Sequence, residues 1–241
     1  MIFPGAFFFS AVYNEALLLF AAAGAIYHAR RGQWVRAALF GVFGSATKLV
    51  GVLLIIPMAV ELLSQRGRSF RDLVPGAWIL AAPLGALAYF AYLQSAFGSF
   101  RVFFETESHW HREPFGSVLL MGFQYLAGDS GPLRFYPPNS MTLSPAYLLF
   151  DTTLLWIFLA AGVILWRQYR PTYGAFVLAF ALVPALSGSP QSVNRYVAVL
   201  FPAFLLLAHI RSEVARAILS LALILALAFT THLFVNGYWA G

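Results

Sequence analysis

Apolar stretches of about 20 residues, the length that carries a helix across the hydrocarbon core of a bilayer, recur along the whole of this chain. Several are broken only by Gly or Pro, which lipid-buried helices tolerate because their surroundings satisfy the freed backbone groups. The pattern leaves no stretch over for a soluble domain. Composition agrees: 61% of the residues are hydrophobic, 10% are charged and the mean hydropathy is +0.77, far from the values of a soluble domain. The expected fold class is all-α, a polytopic integral membrane protein whose residues 1–241 form one transmembrane domain. Without cysteine the chain makes no disulfide and does no thiol chemistry.

The net charge of +6 would point to nucleic acid in a soluble protein. Here ten of the fifteen basic residues cluster in four short loops, around Arg30, Arg31 and Arg36, around Arg66, Arg68 and Arg71, at Arg167 and Arg170, and at Arg211 and Arg216. The positive-inside rule assigns those loops to the cytoplasm and removes nucleic acid as a partner. Threading helices between them gives about eight crossings, at 12–29, 34–48, 50–63, 74–96, 148–166, 172–187, 195–210 and 213–234, with both ends outside. The second and third are short and read as a tight hairpin with Lys48 at its outer turn.

The exterior face then owns one long loop, 97–147, in which Trp, Tyr and Phe mix with Glu, His and Arg as in segments lying at headgroup depth. Within it "FGSVLLMGFQYLAG", 115–128, is too short to span and reads as a helix lying flat. Trp110 and Phe115 are candidates for an acceptor-binding or interface loop. In "ESHWHRE", Glu107, His109, His111 and Glu113 are metal-capable, yet H-x-H puts both imidazoles on one side only in an extended segment, so no metal is expected. Asp151 reads as an anion at the start of the fifth helix, and His209 and His232 as helix-end residues.

Lys48 is the only lysine, in "FGSATKLVGVLLIIP", with no other charge between Arg36 and Glu61. A buried ammonium needs a counter-charge. Either Glu15 at the same outer level supplies it, or Lys48 waits for an anionic ligand beside Arg195. Arg195 follows "SPQSVN", where Ser192 or Asn194 can cap the incoming helix, and Tyr196 adds a hydroxyl.

Three segments, "FPGAFFFSAVYNEALLLF", "RRGQWVRAALFGVFGSATKLVGVLLIIP" and "LSGSPQSVNRYVAVLFPAFLLLA", resemble bacterial relatives of the GPI mannosyltransferase II (PIG-V) family, in the GT-C superfamily of membrane glycosyltransferases. The resemblance rests on a Tyr-x-Glu at a helix mouth, a Thr-basic turn, and a Ser-Gly link leading to Arg-Tyr and then Phe-Pro. It implies transfer of mannose from a polyprenyl-phosphate donor to a lipid-linked or cell-envelope glycan acceptor, on the exterior face of a bacterial plasma membrane, with no cofactor. It implies donor-phosphate binding by Lys48, Arg195 and Tyr196.

Two departures follow. Family members carry further helices upstream, with a first exterior loop whose aspartate acts as general base, and no such segment precedes Ile2. The resemblance therefore implies a chain lacking its N-terminal part, with a separately encoded N-terminal portion as a partner it allows, and it leaves Glu15 and Glu105 as the candidates for catalytic carboxylates. At "TKLVG", relatives more often carry Thr-Arg, so a point-charge ammonium stands where a bidentate guanidinium is usual. The alternative reading is a non-enzymatic membrane protein, a lipid-linked glycan transporter or an assembly subunit.

Overall fold

The computed structural model describes residues 2–65, 74–108, 118–135 and 144–238. Every regular element among them is helical: α1 (Glu15–Arg30), α2 (Trp34–Thr47), α3 (Ile55–Gln65), α4 (Leu84–Phe97), α5 (Val102–Ser108), α6 (Val118–Leu126), α7 (Ser144–Ile164), α8 (Pro171–Ala185), α9 (Val193–Ala198), α10 (Phe201–Phe204) and α11 (Glu213–Val235). Turns of 3₁₀ helix precede α1 (Pro4–Phe9), α3 (Leu49–Leu54) and α4 (Val74–Ala81), and a π turn, Leu165–Tyr169, extends α7. Three helical stretches are long and apolar enough to cross a membrane: Val74–Phe97, Ser144–Tyr169 and Glu213–Val235. The apolar helices Leu49–Gln65 and Pro171–Ala185 are shorter.

Small residues set how the centre assembles. Ala21, Ala25 and Ala29 of α1, four apart and fully buried, share one face, and Ala37, Gly41 and Gly44 line the buried side of α2. Stripes of this kind let two backbones approach closely, which is how helices associate where lipid removes the hydrophobic drive. The α1–α2 hairpin packs on α3 and α4, α3 packs on α8, and α7 packs along α8. One core runs through them, from Leu18, Ile26, Leu54 and Met58 to Leu155, Phe176, Val197 and Leu200. By contrast only 11% of the most apolar stretch of α11 is buried. Its Val214, Ile218, Leu221, Leu225 and Phe229 point away from the chain, an arrangement that water penalises and lipid does not.

The break between Val74–Ala81 and α4 has an identifiable cause. Pro83 cannot donate to the helix ladder, and the hydroxyl of Ser45 on α2 inserts at the gap: its Oγ donates to Ala82 O at 2.5 Å and accepts from Ala86 N at 3.2 Å. A side chain placed inside the i to i−4 ladder bends a helix and keeps both backbone groups satisfied.

Several sequence expectations are corrected here. The run 195–210 is not one helix. Pro202 and the 3₁₀ turn Leu205–His209 divide it, and α9, α10 and that turn follow one another. The hairpin's second arm starts as 3₁₀, and α helix begins only at Ile55. The fifth helix begins at Ser144, so Asp151 lies two turns inside it and is buried, not an anion at its start. Of the stretch 115–128, α6 covers Val118–Leu126 and packs against α7, where Trp156 Nε1 donates to Leu119 O at 3.2 Å, and residues 115–117 lie outside the described residues.

Candidate functional site

Three charged side chains meet at the end of the molecule where α1 begins. Glu15 is the first residue of α1, and only 1% of it is exposed. Its Oε1 lies 2.9 Å from Lys48 Nζ and 3.2 Å from Arg195 Nε. One carboxylate thus holds two cations, and the cluster keeps one positive charge in excess.

Each member is placed by a local backbone feature. Helix α2 ends at Thr47, whose carbonyl, left without an intrahelical partner, accepts from Asn14 Nδ2 at 3.1 Å. Lys48 then turns extended, at φ −153° and ψ 134°, and the chain doubles back so closely that a Cβ on Gly51 would sit 2.2 Å from Gly44 O. Only glycine fits such an approach, and it directs Lys48 back over the start of α1. Arg195 is carried by the short α9, against which the N-terminal turn packs so tightly that a Cβ on Gly5 would lie 2.6 Å from Asn194 O.

Aromatic rings enclose the cations. Lys48 Nζ lies 4.3 Å from the centre of the Tyr196 ring. The Arg195 guanidinium carbon lies 5.2 Å from the Tyr13 ring, 5.7 Å from Tyr196 and 5.8 Å from Phe8. Contacts of this type stabilise a desolvated cation by about 2 kcal/mol or more.

Four buried polar atoms of the cluster have no hydrogen-bond partner: Glu15 Oε2, Arg195 Nε, and both Nδ2 and Oδ1 of Asn194. Arg195 Nε is close to Glu15 Oε1, but its N–H is not aimed at that oxygen, so the contact is an ion pair and not a hydrogen bond. Each unsatisfied buried group costs about 1–3 kcal/mol. Two of these atoms, Arg195 Nε and Asn194 Nδ2, are donors and two, Glu15 Oε2 and Asn194 Oδ1, are acceptors, so the cluster combines surplus positive charge with unused hydrogen-bonding capacity of both kinds.

The structure thus brings Lys48, Arg195, Tyr196 and Glu15 together. Glu105 stays apart from them, exposed in the first turn of α5, a helix that packs on α4 through Phe90, Phe103 and Phe104. The capping expected at Arg195 is not made: Ser192 adopts the left-handed conformation at φ 68° and its side chain caps nothing, while Asn194 lies within α9. Trp110, Phe115, His109, His111 and Glu113 fall outside the described residues. His209 Nδ1 faces Leu205 O at 3.1 Å, and His232 meets Asn236 at the end of α11.

Tyr13, the tyrosine of the Tyr-x-Glu motif, and Phe8 complete the site. Phe8 was not singled out in the sequence, and its signal was the density of rings before Glu15. A second buried carboxylate, Glu61 on α3, also escaped notice. Gln65 Nε2 donates to its Oε1 at 2.6 Å, the Thr172 hydroxyl donates to its Oε2, and Arg170 Nη1 stands 3.6 Å away. The spacing of Glu61 and Gln65, four apart on one helix, was the readable part of that network. Comparison with family models, curated proteins and solved structures finds no match to this chain.

Proposed function

We propose that this chain is a multi-pass membrane protein of the mannosyltransferase type, which holds the phosphate of a polyprenyl-phosphate sugar against Lys48, Arg195 and Tyr196 on the exterior face. The observation that carries this reading is the gathering of two cations on one buried carboxylate, with a guanidinium N–H left over. In this reading the arginine clusters at Arg30 and Arg31, at Arg167 and Arg170 and at Arg211 and Arg216 lie on the cytoplasmic side, about eight helices cross or enter the bilayer, and the Glu15 cluster lies at the opposite surface.

Glycosyl transfer from such a donor breaks the bond between the sugar's anomeric carbon and a phosphate oxygen while an acceptor hydroxyl attacks that carbon, its proton passing to a carboxylate base, the role that the resemblance gives to an aspartate. The departing phosphate takes the electron pair and gains negative charge. Lys48 and Arg195 would meet that charge in a site walled by Phe8, Tyr13 and Tyr196, where electrostatic stabilisation is stronger than in water. Glu15 acts as the counter-ion that keeps both cations in position before the donor arrives.

The test is equilibrium binding of a polyprenyl phosphate to the purified chain in neutral detergent, with the matching polyprenyl alcohol as control. The phosphate should bind and the alcohol should not. Lys48→Met should weaken binding about 10- to 100-fold, the size of a charge-assisted contact, while Lys48→Arg keeps most of it. Equal binding of alcohol and phosphate, or an unchanged affinity in Lys48→Met, would refute the reading.

A further inference from the structure

The other end of α1 carries a second concentration of positive charge. Tyr27, Arg30, Arg31 and Arg170 line a cavity of about 260 Å³. We infer that this cavity binds the headgroup phosphate of an anionic phospholipid, independently of the Glu15 cluster. The two sites are separated by the 16 residues of α1, about 24 Å at ~1.5 Å per residue.

Charge is the first argument. Among the described residues the only carboxylate beside these three guanidinium groups is Glu61, 3.6 Å from Arg170. Glu61 is itself shared, taking hydrogen bonds from Gln65 and from the Thr172 hydroxyl. Among the described residues, three arginines against one such carboxylate leave two positive charges in excess at this cavity. Guanidinium groups present forked donors that match the oxygens of a phosphate.

Preorganisation is the second argument. Arg30 Nη1 donates to the Tyr173 hydroxyl and Arg31 Nη1 to the Tyr27 hydroxyl. Each guanidinium also lies over its tyrosine's ring, at 5.4 and 5.3 Å. The turn that carries them is pinned as well, because Gln65 Nε2 donates to Ala29 O at 3.1 Å and to Arg30 O at 2.9 Å. These bonds use one N–H of each arginine and leave the rest for a ligand. Like charges held together in advance of a partner repel, and an anion between them removes that cost.

The membrane is the third argument, and it selects a lipid over a soluble phosphate. Tyr27, Trp166 and Tyr169 are exposed at this end, and aromatic rings with a polar edge collect at the depth of the headgroups. Trp166 and Tyr169 close the membrane-length stretch Ser144–Tyr169, and Arg170 follows directly. Basic pockets between helices at this depth bind anionic headgroups.

The experiment adds phosphatidylglycerol to the purified chain in neutral detergent and counts retained lipids by native mass spectrometry. Phosphatidylcholine and glycerol 3-phosphate serve as parallel probes. Phosphatidylglycerol should be retained, phosphatidylcholine should not, and glycerol 3-phosphate should compete poorly. Arg31→Gln, at an exposed position, should weaken retention about tenfold, and adding Arg30→Gln and Arg170→Gln should abolish it. Arg216→Gln, beside Glu213 on α11, should change nothing. Retention unchanged in Arg31→Gln overturns the inference even where the triple variant fails to fold. Glycerol 3-phosphate competing as well as the lipid overturns it too. Neither result bears on Lys48, so the donor reading stands or falls separately.

Discussion

Replacing Lys48 by Met tests whether Glu15 depends on it. At an effective dielectric constant of about 20, unit charges at the 2.9 Å of the Lys48 pair attract by about 6 kcal/mol, and at the 3.2 Å of the Arg195 pair by about 5 kcal/mol. Desolvation and the mutual repulsion of the cations offset most of this. Removing one partner of a buried pair costs about 3–5 kcal/mol when the other is left bare. Arg195 still faces Glu15 after Lys48→Met, so the expected loss is lower, about 1.5–3 kcal/mol. Glu15→Gln leaves two adjacent cations with no anion and should cost the full 3–5 kcal/mol or so. In the double variant only Arg195 remains, beside an uncharged amide, and the repulsion is gone. The double variant should therefore be no worse than Glu15→Gln alone, a coupling of about 2 kcal/mol. The stacking of Lys48 on Tyr196 does not involve Glu15, so it cancels from the cycle. Unfolding in mixed micelles, without donor lipid, measures all four corners. Additivity within about 0.5 kcal/mol would refute the argument that Glu15 is held by Lys48.

Two other perturbations address the fold. Ser45→Ala withdraws the hydroxyl from between Ala82 O and Ala86 N, and should lower stability by about 1–3 kcal/mol in the same unfolding assay; a neutral result would mean that the helix closes its own ladder past Pro83. Because the chain has no cysteine, single cysteines at Ser99, Ser130 and Arg211 report sidedness, and a membrane-impermeant thiol reagent should reach the first two from outside and not the third; labelling of Arg211→Cys from outside would reverse the proposed orientation.

The pairing at Lys48 was legible as one of two alternatives, because a buried ammonium needs a counter-charge and Glu15 was assigned to the same outer level, while the other alternative was an anionic ligand. Arg195 was legible as a cation of that surface and illegible as a second partner of Glu15. Its expected helix needed a capped start, but in the turn through Gly188 and Ser192, both at positive φ, the Ser192 side chain makes no cap hydrogen bond. A six-residue helix results, and it delivers Arg195 sideways onto α1. The broken run after Arg195 was misread for a related reason. Hydropathy measures how apolar a stretch is and is blind to whether its ladder is continuous. The Glu61 network depends on Thr172 and Arg170, more than a hundred positions away, and no local pattern announces such a register.

The distribution of helix lengths has a physical reason of its own. The bilayer-length rule binds a helix whose flanks meet lipid, since each unsatisfied backbone group there costs several kcal/mol, on the order of a lost hydrogen bond in hydrocarbon. A helix walled in by other helices escapes it, because irregular backbone buried in protein finds partners there. Helices α1, α2, α3 and α8 supply much of the common core, and all are shorter than the three membrane-length stretches. Both polar clusters sit at the ends of these short central helices, Glu15 and Lys48 at one end, Arg30, Glu61 and Arg170 at the other. In the proposed membrane setting, the short helices bring charged ends inward from the two surfaces, while Val74–Phe97 and Glu213–Val235, 28% and 11% buried over their most apolar stretches, carry apolar perimeter. A buried carboxylate can therefore lie within reach of a headgroup or a lipid phosphate without any charge facing the acyl chains.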